Sequence, residues 1–204
     1  MKLYHSTTQK PKIIESGKLK VNRRFNFQKY LIFLLQQGYE MKEPYQLKGN
    51  YPGSNGLQAP FMGHGIYCYG TFKEAEKHQA NCQVVEISYS EQSSKLNLDD
   101  DKTLYDILES LSEIEEIIDT NISEEARWGW KHLIVLLKNC LLEEFVESGP
   151  AVGLIIYVLL YFKKIKVSDL LIRSFYDKIG VVGKPKTKKK YFLISNTDKI
   201  EEIF

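Results

Sequence analysis

Histidines, tyrosines and glycines carry most of the chemistry that can be read from this sequence. Gly63-His64-Gly65-Ile66-Tyr67 sets two glycines just ahead of an apolar residue and an aromatic one. A glycine before a strand lets the backbone approach a ligand closely, because no Cβ stands in the way. The same pentapeptide also reads as a plain structural turn. It is not a GxGxxG dinucleotide fingerprint, since Cys68 fills the third glycine's place and no strand-turn-helix context surrounds it; no Walker A sequence occurs either. His5 follows a strand beginning at residue 2, where a lone histidine is usually a surface or satisfied polar residue. His64-x3-Cys68 and His78-x3-Cys82 repeat one spacing and would make four zinc ligands, although Cys68 would then sit on a strand and neither half has the usual C-x2-4-C form. Lys184, Lys186, Lys188, Lys189 and Lys190 form a basic tract that reads either as a footprint for nucleic acid or an acidic protein, or as a solvated loop.

These residues need elements to hold them. A short strand at Lys2–Tyr4 and a helix at Pro11–Ser16 closed by Gly17 open the chain. Phe27–Gln37 has helical spacing and stops at Gly38, and the glycine- and proline-rich stretch Gly49–Gly65 reads as a long loop. A strand near Ile66–Tyr69, a helix near Lys73–Asn81 and the strand Gln83–Tyr89 follow. Residues 91–180 read as overwhelmingly helical. Leu104, Ile107, Leu108, Leu111, Ile114 and Ile118 repeat at helical intervals, and Ser123 can cap a second helix with Glu124 and Glu125 in its first turn. Pro150 and the apolar run Ala151–Phe162 open a third, and Ser168 or Asp169 starts a fourth that ends near Gly180. Leu104, Leu108, Leu111, Leu136 and Leu160 are expected inside this block. Of Trp128 and Trp130, two apart on a helix, one is expected in the core and the other partly exposed. The strand Tyr191–Ser195 and a turn at Asn196 and Asp198 close the sequence. Strands at both ends with helices between them predict an α+β domain over residues 1–204, its small sheet interrupted by a helical insertion at about 91–180.

Composition narrows the partners. A net charge of +2 argues against a general nucleic-acid coat, and 43% hydrophobic residues suffice for a core without disulfides or a structural metal. Cys68, Cys82 and Cys140 form no CxxC pair. The opening residues MKLYHST lack the apolar stretch of a signal peptide, and Ala151–Phe162 is shorter than the roughly 20 residues of a spanning helix. A cytoplasmic protein with no membrane partner is expected.

Several segments together resemble the ADP-ribosyltransferases of the poly(ADP-ribose) polymerase and diphtheria-toxin type. Leu3-Tyr4-His5-Ser6-Thr7 followed by Ile13-Ile14-Glu15-Ser16-Gly17-Lys18-Leu19 is similar to their first motif. Gly63–Tyr67, with the alanine-containing helix from Ala75 to Ala80, is similar to their second, and Tyr191–Ile200 to their last strand and turn. These segments cover about a third of the chain, in the family's order. The resemblance implies a split antiparallel β-sheet core and NAD as substrate, with no metal. His5 would then hydrogen-bond a ribose hydroxyl of the adenosine half, and Tyr67 would hold the nicotinamide ribose or stack on the nicotinamide ring; these two are the expected catalytic residues. Ser6, where the family usually has glycine, would offer its backbone to the carboxamide. Gly65 and Tyr191 would complete the NAD site. His78 stands on the helix where relatives often place a second stacking aromatic, and reads equally as an exposed helix residue.

One position departs from the family. Its catalytic glutamate immediately precedes the aromatic of the last strand, and here that residue is Lys190. Glu201 and Glu202 lie beyond the turn. Polymer synthesis is therefore not expected, and single-unit transfer needs another activating group. The resemblance implies transfer of one ADP-ribose from NAD to protein, DNA or RNA, with Lys188 and Lys190 touching the acceptor. Small transferases of this kind resemble bacterial toxins and phage-defence effectors, which implies an antitoxin or immunity protein as a partner. The alternative is a binding module of the same fold that has lost turnover and recognises NAD or a protein.

Overall fold

The computed structural model describes residues 1–21, 61–78, 80–142, 144, 149–176 and 187–204. The expected helix at Phe27–Gln37 and residues 49–60 of the Gly49–Gly65 loop lie outside the described residues. The architecture is α+β, built on a seven-stranded sheet: β1 (Lys2–Thr7), β2 (Ile66–Tyr69), β3 (Gln83–Tyr89), β4 (Lys95–Asn97), β5 (Leu170–Tyr176), β6 (Lys188–Ile194) and β7 (Ile200–Ile203). The order across the sheet is β4-β5-β6-β2-β1-β3-β7, and every neighbouring pair is antiparallel except β4 with β5.

The helices among the described residues are α1 (Lys10–Ser16), α2 (Phe72–Glu76), α3 (Asp101–Asn121), α4 (Glu124–Leu142) and α5 (Gly149–Tyr161). Each begins or ends where local chemistry dictates. Pro11 sits in the first turn of α1, and Gly17 closes it in the left-handed conformation at φ 60°. Thr71 caps α2 by accepting the Glu74 N–H, and Asp100 caps α3 by accepting the Thr103 N–H at 2.9 Å. At the start of α4, the Ser123 carbonyl accepts the Arg127 N–H at 2.9 Å.

The helical block covers one face of the sheet. Ile107, Leu111, Ile114 and Ile118 of α3 turn their stripe toward Leu133, Leu137 and Leu141 of α4 and toward α5, and the cluster closes on Leu171, Phe175 and Leu193 of the sheet. Helix α5 is apolar along most of its length because it is largely buried; Ala151, Val152, Ile155, Val158 and Leu159 have no exposure, and its C-terminal end reaches the surface. No helix among the described residues is long and apolar enough to cross a membrane. On the opposite face Leu3, Ile66, Cys68, Ile87, Ile172 and Phe192 form a second core under Ile13 and Leu19.

Three expectations from the sequence fail. Leu170–Tyr176 is a strand, not a helix, because Leu170 to Phe175 are buried on both faces between β4 and β6. Leu160 is only half-buried and lies outside the core cluster, whereas its neighbour Leu159 is fully enclosed; Leu111 and Leu136 are buried, and Leu104 and Leu108 pack against the cluster half-exposed. Helix α2 stops at Glu76, so His78 lies in the turn that follows rather than on the helix. The tryptophans divide as their spacing requires, Trp130 buried and Trp128 54% exposed.

Candidate functional site

Strands β1 and β2 are paired at a single position, Tyr4 opposite Tyr69. Beyond that point their backbones no longer share a ladder. The ring of His5 takes over: its Nδ1–H donates to the Tyr67 carbonyl at 2.8 Å. A carbonyl can only accept, so the neutral ring carries its proton on Nδ1 and leaves Nε2 with a lone pair. Burial pushes His5 below the usual histidine range, and the bond to Tyr67 opposes this only in part.

A cavity of about 350 Å³ lies where these strands part. His5 and Ser6 line it from β1, Tyr67 and Tyr69 from β2, and Tyr191 from β6, with Phe61 and His78 completing the wall. Cross-strand register explains the meeting, since Tyr69 is paired with Tyr191 and Tyr67 lies two residues away on the same face. The rings touch: Tyr69 and Tyr191 have centroids 5.3 Å apart, Phe61 and Tyr191 5.3 Å, and Phe61 and Tyr67 6.0 Å. Two further cavities share His5. One of about 340 Å³ is bordered by Gly63, His64, Gly65 and Tyr67, and a more polar one of about 800 Å³ by Ser6, Thr7, Gln9, Lys12, Lys18 and Lys20.

The turn that delivers Tyr67 is pinned from two sides. Gly63 adopts φ 117°, and a Cβ on Gly65 would run into the Ile194 carbonyl oxygen and come within 2.8 Å of Leu193 Cδ1. The Met62 N–H donates to the Gly149 carbonyl at 2.8 Å, which ties the turn to the start of α5. Tyr67 Oη donates to the Gly63 carbonyl, so the tyrosine locks its own approach loop. The Ser6 hydroxyl has no hydrogen-bond partner although its oxygen is buried beside the cavity.

His78 approaches from the turn after α2. Its Nδ1 is 2.5 Å from Tyr69 Oη, with the rings 5.3 Å apart. Burial pushes its imidazole down, and the nearby Lys189 and His5 add to the effect.

His5, Ser6, Gly65, Tyr67, His78 and Tyr191 thus gather around these joined cavities. Lys188 and Lys190 do not. Strand alternation puts both on the face opposite Tyr191, where Lys188 pairs with Glu144 at 2.7 Å and Lys190 lies 3.6 Å from Asp99. The lysine on the Tyr191 face is Lys189. Sequence reasoning also passed over Tyr69, Phe61 and the Lys12, Lys18 and Lys20 group; the alternation of Tyr67 and Tyr69 along one strand was the available signal for the first. Among the described residues no three His, Cys, Asp or Glu side chains converge to hold a metal ion, and Cys68 is fully buried with its thiol pushed up by burial. Comparison with protein-family models, curated proteins and solved structures finds no match for this chain.

Proposed function

We propose that the chain binds NAD at the parting of β1 and β2 and transfers one ADP-ribose from it to a macromolecular acceptor, protein or nucleic acid. The observation that carries the reading is the meeting of His5, Tyr67 and Tyr191, far apart in sequence, around one aromatic cavity beside a larger, lysine-bordered one. An aromatic slot suits a flat nicotinamide ring. Lys12, Lys18 and Lys20 suit the diphosphate. His5 Nε2, left with a lone pair by the Nδ1 bond, would accept from a ribose hydroxyl between the two. The seven strands form one sheet rather than the expected split one, and what supports the reading is that β1 and β2 are joined at the single Tyr4–Tyr69 pair, where a split would fall.

Cleavage between nicotinamide and ribose develops positive charge on the sugar. A site that holds NAD bent and the two riboses fixed lowers this barrier by positioning. The cellular role that fits a small transferase of this kind is a cytoplasmic toxin or phage-defence effector, held in check by an antitoxin or immunity protein. A second reading, an NAD- or protein-binding module without turnover, is favoured by one observation: no carboxylate lines the aromatic cavity among the described residues. Labelled NAD, a cell lysate and the purified chain separate the two. Transfer predicts label in macromolecules, lost on protease or on nuclease treatment according to the acceptor. A binding module gives saturable NAD binding and no incorporation.

A further inference from the structure

Among the described residues no carboxylate lines the aromatic cavity, so transfer needs another group to take the acceptor's proton. We infer that His78, oriented by Tyr69, is that group, and that the acceptor is consequently a nucleophile that must lose a proton, a hydroxyl or an amino group, rather than a carboxylate. The inference rests on the NAD reading of the cavity. Tyr69 is 3% exposed and fixed on β2 between Tyr191 and the His78 ring, so its hydroxyl is a rigid partner for Nδ1 at 2.5 Å. His78 itself is exposed in the turn after α2. Nδ1 is therefore held from inside, while the residue as a whole is exposed to an arriving macromolecule. A base held by a third group is the arrangement that activates nucleophiles in many transferases and hydrolases.

The neutral form is the one the surroundings favour. Partial burial of the ring, the Lys189 ammonium on β6 and His5 on β1 all push His78 below the ordinary histidine range, which favours the neutral form. The base role requires the tautomer in which Nδ1–H donates to Tyr69 Oη, which leaves Nε2 as the accepting atom. In the step, the acceptor oxygen or nitrogen bonds to ribose C1′ while the C1′–nicotinamide bond breaks. That bond's electron pair leaves with nicotinamide and cancels its ring charge. The acceptor's proton passes to His78 Nε2 and from there to water. His78 would be a catalytic residue, and Tyr69 a positioning residue.

The test uses the full chain, NAD and a lysate acceptor, reading NAD affinity by calorimetry and transfer by label incorporation. His78→Gln keeps a polar side chain of similar reach. It should bind NAD within about threefold of wild type, lose transfer by about 10²-fold or more, and lose the acidic limb of the pH–rate profile. Tyr69→Phe should move that limb and cut the rate less, and added imidazole should restore part of the transfer lost in His78→Gly. Wild-type turnover with an unchanged rate and pH profile in His78→Gln would overturn the base assignment while leaving the NAD reading intact. A His78→Gln loss of NAD affinity that matches the loss of rate would also overturn it, making His78 a binding residue. Absence of NAD binding and turnover in the wild type would instead sink the cavity reading, and this inference with it.

Discussion

Replacing His5 would show how far its ring holds the sheet together, apart from anything it does to a ligand. The ring joins β1 to β2 past the point where backbone pairing has stopped, through one 2.8 Å bond to the Tyr67 carbonyl. His5→Ala deletes the donor and leaves a half-buried acceptor behind. A hydrogen bond contributes about 0.5–1.5 kcal/mol net, and an unsatisfied buried group costs about 1–3 kcal/mol, so the expected loss is about 1–3 kcal/mol. For a chain of this size each kcal/mol lowers Tm by about 2–4 °C. pH supplies a second handle. Burial sets the folded-state value of His5 below the ordinary 6.5, so between the two the unfolded chain binds more protons. The stability from keeping the ring neutral is full above the unfolded value and falls as pH drops below it. His64 and His78 are shifted in the same direction and add to the slope. His5→Gln removes one of the three, so its urea midpoint should fall less than the wild type's between about pH 7.5 and pH 5. Urea titrations of wild type, His5→Ala and His5→Gln at both pH values give these numbers. A His5→Ala chain as stable as wild type would show that the ring does not join the strands, and an unchanged pH slope in His5→Gln would show that the ring is not held in a buried site.

Other expectations follow from the packing. Leu159→Ala should cost about 2–5 kcal/mol in chemical denaturation, and the half-buried Leu160→Ala roughly half of that or less; equal costs would misplace α5. Gly65→Ala should push β2 away from Leu193 and Ile194 and weaken NAD binding at least tenfold with a smaller loss of stability, because the clash adjoins Tyr67; unimpaired binding would show that the turn is not held as described. Lys190→Glu faces Asp99 rather than the cavity, so it should leave nicotinamide release unchanged and lower stability by under about 1 kcal/mol; new or lost NAD turnover would put Lys190 at the site after all.

What the sequence revealed depended on how locally each feature is determined. Helix α3 was legible from its stripe, although its Asp100 cap was not singled out, and β3 from seven residues that alternate or pack on both faces. Strand β5 was not, because Leu-Leu-Ile-Arg-Ser-Phe-Tyr is a largely apolar run without clear alternation, preceded by a good helix cap and with Gly180 a few residues beyond; only its burial between two strands decides the matter. The three-residue β4 has too little pattern to be seen at all. At the site, His5 and Tyr67 were visible as motif residues, whereas Tyr69 and Phe61 enter through cross-strand register and ring contacts that no spacing announces. Counting along the last strand put Lys190 in the glutamate's place, but strand parity puts Lys189 and Tyr191 on the cavity face.

The central claim is that the cavity between β1, β2 and β6 handles NAD. Nicotinamide release from NAD by the purified chain, measured alongside Tyr67→Ala and His5→Ala variants shown to be folded, tests it most directly. The account predicts release by wild type and a fall of about 10²-fold or more in each variant, since both side chains would position the reacting sugar. Equal release by all three chains, or neither release nor NAD binding by the wild type, would contradict it.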